Sequence, residues 1–215
     1  SIGSYAFNNC PGLTGITIPD SVTDIRSYAF NNCPSLTEIT IPGNVWNIEI
    51  GAFSNCTSLT EVSIPESVTS IGYGAFFSCE NLDKVIFAGT TPPTLRGDIF
   101  KSTSKSLQLV FPNAPVTFPA GGNWPLEKVV VSGAVAQVVK QDGTTPYVAN
   151  LAEAFADANS GATVTMLADV TLTEMVEIPQ DTTFVLDLNG HTISNPTESC
   201  IFVKYGGTLT IRDSG

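Results

Sequence analysis

Charge is scarce in this 215-residue sequence, with Asp, Glu, Lys and Arg together at 13%. Twenty acidic residues against nine basic ones leave a net charge of -11, and the bases lie singly along the chain. No basic patch is therefore available to neutralise phosphates, and neither nucleic acid nor an anionic membrane is an expected partner. Histidine occurs once, at His191, which excludes His-cluster metal sites and leaves any histidine-based triad a single candidate. None of the five cysteines forms a C-x-x-C pair, the usual mark of a zinc or redox site. Long apolar runs are missing too. The longest, from Val129 to Val139, is broken by Ser132, Gly133 and Gln137 and reaches about half of the roughly 20 residues a spanning helix needs. Asn189-Gly190 reads as a turn, with no glycine pattern around it that could cradle phosphate. The expectation is of no catalytic residues, no metal, no cofactor and no membrane insertion.

What is abundant points to turns and strands. Eighteen Gly, 14 Pro and 42% hydrophobic residues suit a β-rich, turn-dense structure, and the length allows a substantial core. Phe7, Phe30, Phe53 and Phe76 recur at equal intervals, a 23-residue period. Alanines at 6, 29, 52 and 75 precede them, cysteines at 10, 33, 56 and 79 follow, and leucines at 13, 36, 59 and 82 come next. Each unit closes on a segment such as Ile39-Thr40-Ile41, which alternates apolar with polar and stops at Pro42, a residue with no N–H to donate. One short strand per unit is expected, joined through A-F-x-x-C-x-x-L by a helical or 3₁₀ turn, with equal phases stacked as ladders in a solenoid. The cysteines at the repeated phase are expected to be free, buried thiols. That reading makes the glycosylation sequon Asn55-Cys56-Thr57 coincidental, since its cysteine belongs to the ladder. In the fifth unit the interval from Phe76 to Phe100 is longer by one, an insertion near Thr91-Pro92-Pro93, and the cysteine and leucine phases hold Thr103 and Ser106. Polar residues at those inward phases are expected to mark a terminal repeat.

The I-P, A-F and C-x-x-L motifs from about Ser1 to Pro112 resemble the BspA-like leucine-rich repeat, a subclass found on surface proteins of gut and oral bacteria and of some protozoan parasites. The pattern departs from common leucine-rich repeats, because the cysteine precedes the strand and Ser21, Asn44 and Ser67 occupy the phase after it. The resemblance implies a secreted or cell-surface protein that binds a host matrix or cell-surface protein, with glycan as a further ligand class.

No 23-residue phase continues beyond Pro112, and Asn113 to Trp124 is rich in Pro and Gly. The expected division is a repeat domain over 1–115, a linker over 116–133 and a second domain over 134–215. In the last, Ala134–Lys140 and Thr145–Val148 flank the hairpin turn Asp142-Gly143. A helix follows, with Asn150 as N-cap, Glu153 three residues on, Leu151, Ala154, Phe155 and Ala158 on one face, and Asn159-Ser160-Gly161 as its stop. The segments beginning at Thr163, Thr183 and Thr208 align at unequal spacings as parallel coils. The stretch from Leu151, with L-D-L-N-G-H-T-I, resembles the opening of the right-handed β-helices of pectate-lyase-like domains. The fold class expected is thus a mostly β solenoid: a leucine-rich repeat domain followed by about three coils of a right-handed parallel β-helix with a capping helix. Ser1 falls inside a repeat and Gly215 at a turn, so the chain is expected to be a piece of a longer one.

Outward strand positions tile the concave face of leucine-rich repeats. Here they are Gly15 and Thr17, Glu38 and Thr40, Glu61 and Ser63, Lys84 and Ile86, Gln108 and Val110. The candidate binding residues are Glu38, Thr40, Glu61, Ser63, Lys84 and Ile86. The rival readings are a polysaccharide-active β-helix, with His191 as base beside Asp187 and Asp213 and the repeats as a targeting arm, and a structural spacer. Phase alignment places Asp187 beside Arg212, which favours a salt bridge over a carboxylate site. Cys200 lies outside the ladder with no evident partner.

Overall fold

Equal phases do meet on neighbouring coils. In the computed structural model, which describes residues 1–195 and 201–215, Phe7, Phe30, Phe53, Phe76 and Phe100 form one column of parallel rings, with centroids 5.1 to 5.9 Å apart. Leu36, Leu59 and Leu82 form a second buried column and Ile25, Ile48 and Ile71 a third. Cys200 lies outside the described residues. The protein is a β-solenoid, leucine-rich repeats followed by β-helix coils, and the chain divides into two compact units. Ser1–Pro112 with Gly122–Val130 make the first, Asn113–Gly121 with Val131–Gly215 the second.

Each coil of the first unit contributes two strand columns where one was expected. One is the I-x-I segment: Glu61–Ile64, Lys84–Phe87 and Gln108–Phe111 pair in parallel, and Thr17, Thr40 and Ser63 are linked by single bridges ahead of them. The other is the V-x-x-I segment, where Asp24–Ile25, Asn47–Ile48, Ser70–Ile71 and Thr94–Leu95 pair in parallel. Two residues per coil gave too short a pattern for alternation to show.

The A-F-x-x-C-x-x-L portion is a train of turns rather than a helix. The N–H groups of Ala6, Asn8 and Leu13 donate to carbonyls three residues back, while those of Tyr5, Phe7 and Asn9 donate to Ser27, Ala29 and Asn31 on the next coil. This pattern repeats along the stack, so backbone polarity is satisfied alternately within and between coils. Left-handed residues break any helix: Tyr5, Tyr28, Gly51 and Gly74 share one such phase, and Asn9, Asn32, Asn55 and Ser78 another.

The thiols complete this face. Cys33, Cys56 and Cys79 are buried, and each donates to the carbonyl of Phe7, Phe30 or Phe53 on the preceding coil at 3.1 to 3.2 Å. Burial raises all three above the usual thiol value, and Cys79 is pushed up to about 12. Thr103 keeps the phase but turns its hydroxyl to its own coil's Phe100 carbonyl at 2.7 Å. Ser106 corrects the expectation of an inward polar residue: it is exposed and bonds the Asp83 carboxylate at 2.7 Å, while neighbouring Leu107 is buried in its stead. The chain shifts by a single position to keep a hydrophobe inside. Trp124 packs edge-on against Phe87, 5.1 Å away, and against Phe111 at 5.7 Å, so it lies beside the last two coils.

The stretch 116–133 is structured throughout much of its length. Val116–Phe118 pairs with Thr145–Tyr147 in the second unit, whereas Gly122–Val130 belongs to the first. The hairpin forms as expected, Ala136–Val139 against Thr145–Val148, with the Asp142 carboxylate accepting from the Thr144 N–H and hydroxyl. The helix, α1, spans Leu151–Asp157. Asn150 caps it by accepting the Glu153 N–H at 2.8 Å, and Leu151, Ala154 and Phe155 are buried on one face. Parallel coils follow on three faces: Thr183–Asp187 and Thr208–Arg212 add in parallel to Thr163–Met166, whose other edge pairs antiparallel with Ala136–Val139 of the hairpin in one mixed sheet, while Val170–Thr171 with Ile193–Ser194 make a second sheet and Val176–Ile178 with Ile201–Val203 a third. The first coil spacing corrects the alignment. Thr163 lies opposite Val185 rather than opposite Thr183. A slip of two positions leaves the inward set unchanged, so alternation could not detect it.

Candidate functional site

The outward strand positions come together as one surface. Thr17, Thr40 and Ser63 succeed one another across the bridges, and Glu61, Lys84 and Gln108 across the ladder. Glu38, Thr40, Glu61 and Ser63 are exposed, while Lys84 and Ile86 are partly covered. Their neighbours Ile39, Ile41, Val62 and Ile64 are buried, so the strand alternation that fills the core also presents these side chains.

The surface is not uniform. Lys84 Nζ lies 3.4 Å from Glu61 Oε2, which offsets one acid. Glu38 makes no ion pair among the described residues. It borders an open depression of about 680 Å³ on the first two coils, together with Gly15, Thr17, Asp20 and Thr40. Gly15 is what opens it, since the residue at the phase of Glu38 one coil earlier has no side chain, and a Cβ there would meet Glu38 Cγ at 3.7 Å. Six candidates therefore separate into an unpaired acidic end at Glu38 and Thr40, a neutralised pair at Glu61 and Lys84, and flanking Ser63 and Ile86. Asp20 was missed in the sequence because it lies beyond the strand, after Pro19.

Asp187, Asp213 and His191, the residues read as a carboxylate site, are engaged in contacts between coils. Asp187 is buried and stands opposite Arg212, whose Nε donates to Oδ2 at 2.8 Å. Its Oδ1 accepts from the Asn189 N–H and from the N–H and hydroxyl of Ser214. Burial pushes this carboxyl up, but the hydrogen bonds from Ser214, Asn189 and Arg212 outweigh it and hold it below the usual range. Asp213 accepts the Gly190 N–H at 2.7 Å. The base read beside Asp187 lies elsewhere: His191 Nδ1 is 3.5 Å from Asp169 on the preceding coil. Asp169 also accepts the N–H and hydroxyl of Thr192, which hold it below its ordinary value. Among the described residues, no three His, Cys, Asp or Glu side chains gather in a geometry that could hold a metal ion, and no helix is long and apolar enough to cross a membrane.

Stacked coils of near-equal length, with buried Phe and Leu columns and an exposed strand face, define a leucine-rich repeat protein. Residues 1–114 match, in 6 copies, the family described as the BspA type leucine rich repeat region, and the chain belongs to that family. No curated protein and no solved structure matches the chain.

Proposed function

We propose that this is a non-catalytic protein of the bacterial surface or secreted fraction that captures another protein on the strand face of its repeats. The observation that carries the reading is the row of exposed polar side chains on one paired surface, Glu38, Thr40, Glu61 and Ser63, ending in an acidic depression. Family membership supports it, since BspA-type repeats occur on surface proteins that bind. Charge selects the partner: with Glu61 offset by Lys84, the acids at the depression with no ion pair among the described residues are Glu38 and Asp20, and a basic segment of a host matrix or cell-surface protein complements them. The coils from Leu151 resemble those of pectate-lyase-like domains, but Asp187, Asp213 and His191 are each spent on coil-to-coil contacts, which favours a scaffold role over turnover.

The test is binding of immobilised matrix proteins by the wild type and by Glu38→Lys at low and high salt. Capture by the wild type that weakens with salt, and falls at least tenfold in the variant, supports the reading. Equal capture by both removes this face as the site. Glu61→Lys is the weaker probe, because it also sets two like charges beside each other at Lys84.

A further inference from the structure

On the turn face of the repeats, away from the strand surface, one repeated phase changes residue type halfway along the stack. Tyr5 and Tyr28 hold it in the first two coils and Gly51 and Gly74 in the next two, all with left-handed backbones near φ 60°. The two tyrosine rings stack nearly parallel, 5.2 Å apart. Tyr28 then lies against Gly51, where an added Cβ would collide with its ring. Further on, Tyr73 lies against Gly97 in the same way, its Cδ2 being 2.9 Å from the place of a Cβ. Between these two rings Gly74 carries nothing, and a Cβ built there meets only Phe77 Cβ, at 3.4 Å.

The result is a cleft of about 330 Å³, walled by Tyr28, Tyr73, Ile50 and Phe77 and floored by the two glycines, with Asn31 and Asn55 beside it. Coils stack about 4.8 Å apart, and Gly51 and Gly97 lie two coils apart at phases one residue apart, so the rings over them are separated along the stack by roughly 10 Å, room for one flat ring between them. The volume is at the lower end for a small-molecule site. Tyr73 and Ile50 are about half exposed, at 53% and 46%, and both face this one cleft.

The lining decides what fits. No charged residue contributes to it, in a chain of net charge -11, so nothing there favours an ionic ligand. A purely aromatic ligand would cover Asn55 Oδ1 without satisfying it, which is costly. Asn55 Nδ2 already donates to Asn31 Oδ1 and to Ser54 Oγ, which turns Asn55 Oδ1 away as an acceptor. A ring with an apolar face for tyrosine and hydroxyls at its rim for Asn55 meets both demands.

We infer that this cleft binds one pyranose ring of an uncharged glycan, seated over Gly74 between Tyr28 and Tyr73. The site is separate from the strand face and does not depend on what that face binds.

The experiment is a nuclear magnetic resonance titration of the full chain with neutral oligosaccharides of glucose, mannose, galactose and xylose at millimolar concentration. Hyaluronan oligosaccharide and a proline-rich peptide serve as comparisons. Gly74→Tyr fills the gap with a side chain that the same phase already accepts at Tyr5 and Tyr28, and Tyr73→Ala removes one exposed wall. The expected result is saturable shifts at Tyr28, Tyr73 and Asn55 with a neutral sugar, abolished by Gly74→Tyr and weakened about tenfold by Tyr73→Ala. Thermal melting checks that the variants fold, and if Gly74→Tyr does not, Tyr73→Ala and Asn55→Ala decide. No shift with any neutral sugar overturns the proposal. So does binding that survives the substitutions, or binding of the peptide or hyaluronan alone.

Discussion

Phe53 lies between Phe30 and Phe76 with 5.4 Å on either side and no exposed surface. Truncation cannot be healed by one neighbour without disturbing the other, so Phe53→Ala is expected to cost about 3 to 5 kcal/mol, read from denaturant unfolding. The thiols invite a chemical measurement. Because burial raises Cys33, Cys56 and Cys79, they should not react with a thiol reagent at neutral pH until the protein unfolds, whereas the partly exposed Cys10 should react at once. Prompt labelling of all four would contradict the ladder. Asp187 bears on pH. Its folded value is depressed, so its contribution to stability is complete above the unfolded carboxylate value of about 3.9 and is lost as the pH falls from there through the folded value. Acid melts of the wild type and of Asp187→Asn should therefore diverge most at neutral pH and converge in strong acid.

At the scale of elements, α1 has only seven residues, too few to persist by propensity, and is held by its cap and its buried face. Asn150→Ala should cost about 1 kcal/mol. Hydrogen exchange should find α1 protected to the same degree as Thr183–Asp187, since Phe155 packs against Phe184 at 5.2 Å and the two belong to one core. Fast exchange in α1 beside slow exchange in that strand would show that the helix is not part of that core. The turn train depends instead on backbone geometry. Gly51→Ala must place a Cβ on a left-handed backbone and against the Tyr28 ring, so it should destabilise by more than about 1 kcal/mol, measured by chemical unfolding.

Across the whole molecule, membership of the two units does not follow the order of the sequence. Residues 113–121 serve the second unit and 122–130 the first, with Trp124 lying against both of the last two repeat coils. The segment 122–130 thus adds apolar contacts to the last coils, where no further repeat supplies them. A fragment ending at residue 115 should accordingly melt at a lower temperature than one ending at residue 130, by circular dichroism. Equal melting would mean that Trp124 adds nothing to the repeats.

The 23-residue register, the Phe, Leu and Cys columns, the capped helix and the Asp187–Arg212 pairing were all legible in the sequence. In the repeats, contacts between neighbouring coils recur at a nearly constant sequence distance, so a period in the chain is a distance in space; in the second unit the coil lengths differ, and the Asp187–Arg212 pairing followed from aligning strand with strand. The outward residues Glu38, Thr40, Glu61 and Ser63 followed from the same alternation. The offset of Glu61 by Lys84, the depression opened by Gly15, the slip opposite Thr163 and the exchange of Ser106 for Leu107 were decided only in three dimensions. Each depends on a side chain's reach or a local shift of the backbone, neither of which alters the period. The packing of Trp124 on Phe87 and Phe111 belongs with them, for Trp124 lies outside the repeats, where no period remains to say what a residue will touch.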